Sequence, residues 1–153
     1  MKLIQRVAVV TGFGFVVVAI LGFTLTGWTG SMTHVTMASA PRLFGIFPVN
    51  PMHNLLHLLI GLWGLVAARR ARAATLYAAT SGVLYLILAA VGFFAPTVFG
   101  MVPIGGYDIL LHFMLAIALI GFAFDTSMRE DVREQQSRVV SPESSVAGSS
   151  EGH

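Results

Sequence analysis

Four runs of apolar residues, each close to the length of a bilayer crossing, limit what this chain can fold into. They span approximately Val7–Trp28, Met52–Ala68, Ala74–Phe94 and Tyr107–Phe124, and Asp108 is the single Asp, Glu, Lys or Arg inside them. About 20 apolar residues in a helix are needed to cross roughly 30 Å of hydrocarbon. In lipid every backbone polar group must be satisfied within the segment, so such runs must be helices. The second and fourth are somewhat short, and the apolar residues before them (Leu43 to Val49, Val98 to Ile104) extend the membrane-facing stretch. Only 10% of the 153 residues are charged, where soluble domains carry about a quarter.

The basic residues decide orientation. Lys2 and Arg6 precede the first run, Arg69, Arg70 and Arg72 fill the link between the second and third, and Arg129, Arg133 and Arg138 follow the fourth. Arg42 alone falls on the other side. The positive-inside rule then predicts both termini in the cytoplasm. The same distribution argues against nucleic acid as a partner, because the cations flank hydrophobic spans instead of lining a polar face. A cleaved secretory signal is an alternative for the first run, with Ala38-Ser39-Ala40 as its cut site. That run, however, is longer than the 7–15 residues of a signal core, and Pro41 would follow the cut. A retained first span is expected.

The chain also matches itself. Ala40–Leu58 (APRLFGIFPVNPMHNLLHL) aligns without a gap on Ala95–Phe113 (APTVFGMVPIGGYDILLHF), with Ala40/Ala95, Pro41/Pro96, Phe44/Phe99, Gly45/Gly100, Pro48/Pro103, Leu55/Leu110, Leu56/Leu111 and His57/His112 identical. At an offset of seventy the first run aligns on the third, sharing Gly12/Gly82, Ala19/Ala89, Gly22/Gly92 and Phe23/Phe93. The expected fold is an all-α membrane protein of four transmembrane helices, a tandem repeat of two helix hairpins. The halves, about 7–68 and 74–125, share one orientation and a pseudo-two-fold along the membrane normal. The transmembrane domain covers 1–125, and the polar residues 126–153 read as a frayed helix end and a disordered cytoplasmic tail. The change of offset leaves about fifteen extra residues in the first outer loop, around Gly30–Thr36, with Trp28 at the outer interface.

In so apolar a chain the repeated histidines hold most of the chemistry. Asn50-Pro51 is a helix start, Asn as cap and Pro at the first position. His53 and His57 then lie one turn apart on one face, with Gly61 and Gly64 continuing it as a small-residue stripe. Gly105-Gly106 breaks the chain before the fourth helix, whose Asp108 and His112 pair likewise. Three readings are open. His53, His57, Asp108 and His112 bind a transition metal such as zinc, copper, iron or nickel, as facing i,i+4 pairs do in helix bundles. In a variant, His57 and His112 ligate haem axially. Alternatively the four side chains hydrogen-bond across the helix interface and serve structure only. The third reading is proton or ion passage. Without cysteine, disulfides and thiolate metal sites are excluded. His34 reads as a solvated loop residue, Asp125 as interfacial, Tyr85 (mate of Phe15) as core packing and His153 as uninformative.

The motif LFGIFPVNPMHNLLHLLIGLWGLVAARR resembles a family of small bacterial four-helix membrane proteins of unknown function. Its H-N-x-x-H-L-x-x-G-x-x-G-L pattern is met at His53, Asn54, His57, Leu58, Gly61, Gly64 and Leu65. A second copy keeps Asp108 and His112 but has Ile109 in place of the usual Asn. The resemblance implies a four-span topology in the bacterial inner membrane and no particular activity. The expectation is a non-enzymatic accessory or structural subunit in the lipid bilayer, self-associating through glycine-lined faces or joined to a larger membrane complex. The alternative is a metal- or haem-binding redox or transport protein that uses the cluster.

Overall fold

The structure, a computed structural model, describes residues 1–30, 32 and 36–140. His34, most of the extra segment at 30–36, His153 and the tail beyond 140 lie outside the described residues. The element order is α1 (Leu3–Thr26), β1 (Arg42–Leu43), β2 (Phe47–Pro48), α2 (Pro51–Ala67), α3 (Ala71–Phe94), β3 (Thr97–Val98), β4 (Val102–Pro103) and α4 (Tyr107–Val140). The protein is all-α apart from two short hairpins. α1, α3 and α4 are long and apolar enough to cross a membrane. At 17 residues α2 falls short, rising about 25 Å.

The helix surfaces explain where the chain resides. Only 28%, 39% and 22% of the most apolar windows of α1, α3 and α4 are buried inside the protein. Val10, Phe13 and Ile20 of α1 and Leu110, Met114 and Ile117 of α4 point outward, each more than half exposed. Helices that are apolar on every side suit a bilayer and not water.

α1 packs along α2 and α3 along α4, with α1 touching α3 between the two pairs. The core is rich in alanine, with Ala8, Ala74, Ala78 and Ala116 fully buried around Tyr77 and Tyr85. Small residues let the backbones approach. A Cβ on Gly12 would lie 2.8 Å from the Gly61 carbonyl oxygen and 2.9 Å from the Leu65 nitrogen. A Cβ on Gly82 would lie 3.2 Å from the Ala116 oxygen and 3.1 Å from the Ile120 nitrogen. Ala116 and Ile120 stand fifty-five residues after Gly61 and Leu65. The Gly61 stripe is therefore occupied by α1 inside the chain.

The apolar stretches before α2 and α4 are not helical; they form the hairpins. Leu43 pairs with Phe47 and Val98 with Val102. At the tips, Phe44 and Phe99 take positive φ (53° and 52°), followed by Gly45 and Gly100 at 76° and 68°. Left-handed conformations at consecutive residues are incompatible with a helix and need glycine at the second position. The closing bonds also correspond: Val49 N–H donates to the Pro41 carbonyl at 2.9 Å, and Ile104 N–H to Pro96 at 2.8 Å.

α4 runs well past Phe124, through residues that composition assigns to a tail. Its polar half is held by ion pairs one turn apart, Arg129–Asp125 at 2.8 Å and Arg138–Glu134 at 2.6 Å. Such pairs each support an exposed helix by a few tenths of a kcal/mol, about 0.3–0.5. Lys2 reaches Glu130 at 2.9 Å, and Gln5 donates to the Ala68 carbonyl at 2.8 Å. The start of α1, the end of α2 and the polar part of α4 thus share one end of the molecule. Asp125 is paired with Arg129 there, away from the histidines.

Candidate functional site

The histidines sit at the other end, where both hairpins close over the helix starts. α2 begins as the sequence requires: the Asn50 Oδ1 accepts from the His53 N–H at 2.9 Å, and Pro51 follows. Asn50 does more than cap. Its Nδ2 donates to the Met101 carbonyl at 2.6 Å, tying the start of α2 to the tip of the second hairpin. Nothing in the sequence marks that bond, since the repeat mate of Asn50 is Gly105, which has no side chain. Asn50→Ala is expected to cost about 1–3 kcal/mol through the lost cap and the stranded carbonyl. Asn50→Asp keeps the cap but not the donor, so thermal unfolding of the two variants separates these contributions.

His53, Asp108 and His112 are buried (3%, 3% and 5% exposed), and His57 is partly buried. One ligand-capable atom from each of His53, His57 and His112 lies within 4.8 Å of the other two. The rings of His53 and His57 stack at 4.6 Å with 17° between planes, while His112 lies 6.3 and 6.4 Å from them. The point equidistant from all three centroids is about 3.4 Å from each. An imidazole bound to a metal at ~2.0–2.1 Å puts its centroid roughly 3.2 Å from the ion and its nitrogen about 3.3 Å from the next ligand's, so the centroids are near the spacing for one ion while the nitrogens, within 4.8 Å of one another, must draw together. Seating it requires His53 and His57 to turn out of their parallel stack so that both lone pairs converge.

The tautomers of two rings are set by their own helices. His57 Nδ1 lies 3.2 Å from the His53 carbonyl and His112 Nδ1 lies 2.7 Å from the Asp108 carbonyl. A carbonyl only accepts, so each Nδ1 carries the proton and each Nε2 is left with its lone pair, as for metal-ligating histidines. Asp108 is not among the converging groups. Its Oδ1 lies 3.4 Å from His112 Nδ1, behind the ring.

Three buried atoms at this place have no hydrogen-bond partner among the described residues: His53 Nδ1, Tyr85 hydroxyl and Asp108 Oδ2. Buried polar atoms are almost always partnered, and three of the five without a partner among the described residues fall here. The Tyr85 ring lies 5.1 Å from His112 and 5.4 Å from Phe15, which in turn is 5.4 Å from His57. Tyr85 is core, as expected, and also borders the cluster. The sequence signal was the hydroxyl it adds where its mate is Phe15.

Among the described residues no side-chain hydrogen bond joins α2 to α4, and the bonds of His57 and His112 stay within their own helices.

Comparison with known families identifies the group. The profile of a family described as a domain of unknown function, DUF4383, matches residues 5–124. The chain belongs to this family. No curated protein and no solved structure matches it. The DUF4383 match covers all four helices up to Phe124 and stops short of the polar end of α4.

Proposed function

We propose that this DUF4383 protein is a multi-pass protein of the inner (plasma) membrane that holds one transition-metal ion between His53, His57 and His112. The observation that carries the proposal is the convergence of three imidazole nitrogens within 4.8 Å, two of them on rings whose Nδ1–H is already tied to backbone. Three neutral imidazoles suit zinc, copper or iron and leave one coordination position open. Asp108 acts as the orienting carboxylate behind His112 and not as a fourth ligand. The haem variant fits less well. His53 sits beside the midpoint between His57 and His112, where a porphyrin would have to extend.

In this reading all four helices cross the bilayer, as two tandem hairpins at about 7–68 and 74–125 related by a pseudo-two-fold along the membrane normal. The matched hairpin geometry and the matched glycine contacts support that arrangement. The basic residues at the end holding Lys2, Ala68 and Glu130 support a cytoplasmic position for both termini. The cluster then lies near the outer face.

The test is elemental analysis of the full chain purified from its membrane without added metal. About one zinc, copper or iron per chain, removed by chelator, is expected; metal-free protein whose thermal unfolding ignores chelator and added metal refutes the reading. Asp108→Asn should bind the ion roughly 10-fold more weakly, the low end of what such outer partners contribute, because the Asp108 carbonyl still fixes the His112 tautomer. Competition titration against a chelator of known affinity measures it.

A further inference from the structure

Two apolar pockets meet at the triad. One, of about 100 Å³, lies in the seam between α1 and α4, and the other, of about 300 Å³, in the seam between α2 and α3. Both are lined by His53, His57, Tyr85 and His112. Their outer walls correspond across the chain. Phe15 and Val18 of the first pocket stand where Tyr85 and Leu88 stand in the second, seventy residues on. Leu111 and Leu115 likewise answer to Leu56 and Ile60, fifty-five residues back.

These walls reach the lipid-facing surface. Leu111 is 51% exposed and Leu56 40%, and the hairpin-tip phenylalanines, Phe44 in the first pocket and Phe99 in the second, are 70% and 93% exposed. A pocket opening sideways between membrane helices admits what is dissolved in the bilayer. Its walls are hydrocarbon and aromatic, so the part of a ligand that fills it is a hydrocarbon tail. At the inner end, among the described residues, the Tyr85 hydroxyl is unpartnered and lines both pockets, while the unpartnered Oδ2 belongs to Asp108, which lines the first alone. An anionic head would enter the first pocket past the Asp108 carboxylate, whereas a neutral hydroxyl accepts from Tyr85 and keeps a lone pair for the ion.

We infer that the open position of the triad's metal is served from the membrane by these pockets, and that the ligand is a lipid-soluble molecule with a neutral oxygen head, an alcohol, on a hydrocarbon tail. This rests on the metal-binding reading above. The head oxygen would bind the ion beside Tyr85, and the tail would run outward along Leu56 or Leu111.

The test uses the full chain in phosphatidylcholine nanodiscs loaded with cobalt(II), whose visible absorption reports its ligands. Adding 1-decanol should change the spectrum saturably, while ethanol at the same concentration does not. The Leu56→Trp/Leu111→Trp double variant should bind cobalt with an unaltered spectrum and respond to decanol at least 10-fold more weakly. Tyr85→Phe, which leaves pocket shape alone, should also weaken the decanol response, and it serves if the double variant does not fold. Bound cobalt unmoved by decanol, or moved equally in wild type and both variants, overturns the inference and leaves the metal site standing. Failure of cobalt to bind at all overturns the metal reading, and this inference with it.

Discussion

His112→Ala is expected to remove the metal, lowering affinity by more than ~100-fold, beyond the range found for outer-partner changes. His112 is the sole contribution of α4 to the converging nitrogens; without it the remaining pair comes from one helix and cannot close around an ion. His57→Ala and His53→Ala should act similarly. The stability readout separates binding from architecture. If the ion is the function, chelator should lower the thermal midpoint of the wild type and have no effect on His112→Ala, because a ligand that binds the folded state stabilises it by mass action. If His112 serves only packing, the alanine variant should be less stable than wild type in chelator as well as in metal, by the ~1–3 kcal/mol typical of a poorly filled buried site. Equal metal content in wild type and His112→Ala would end the metal proposal.

How far the sequence foretold this site depends on which force sets each part. The start of α2 was legible because Asn50-Pro51 is a local signal, and a cap needs only its own three neighbours. The meeting of His57 and His112 was legible because a gapless match puts both at equivalent depth in two helices. C-terminal helix ends set by composition held for α3 at Phe94 and to within two residues for α1, whose start lies four residues before the expected Val7. The hairpins were not legible: Leu43 to Val49 is apolar enough to continue a membrane helix, and what breaks it is consecutive left-handed residues at Phe44-Gly45, a choice that hydropathy does not record. The polar length of α4, expected only as a frayed helix end, was under-read for the opposite reason. Residues 126–140 carry few apolar residues, yet their charges are spaced one turn apart, and helix inherited from a long apolar segment does not need to be nucleated again. The place of Asp108 behind His112 could not be read from spacing, because i,i+4 fixes a shared face but not which atom of a carboxylate or carbonyl the ring nitrogen selects. Tyr85 is a fourth side chain at the cluster from a third helix, and only packing brings it there.

Close packing of α1 on α2 is the feature on which the site's shape depends most, and Gly61→Ala tests it. A Cβ at Gly61 would stand 2.7 Å from the Gly12 oxygen and 2.9 Å from the Val16 nitrogen. Both are helix backbone, which cannot rotate aside as a side chain can, so the two helices must separate. Overpacking of this kind costs about 1–3 kcal/mol, and Gly12→Ala, meeting the Gly61 oxygen and the Leu65 nitrogen, should cost a similar amount. The same displacement reaches the site, since Phe15 of α1 lies against both His57 and Tyr85. Metal affinity should therefore fall in Gly61→Ala although no ligand is altered. Gly14→Ala is the control. It lies two residues from Gly12 on another face of α1, where its Cβ would meet nothing within 4 Å, and replacing a helical glycine by alanine gains roughly 0.5–1 kcal/mol of backbone entropy. Denaturant unfolding in mild detergent should order the proteins Gly14→Ala, wild type, Gly61→Ala from most to least stable. If Gly61→Ala unfolds at the wild-type midpoint, α1 and α2 do not pack at this distance, and the position of His57 opposite His112 loses its support.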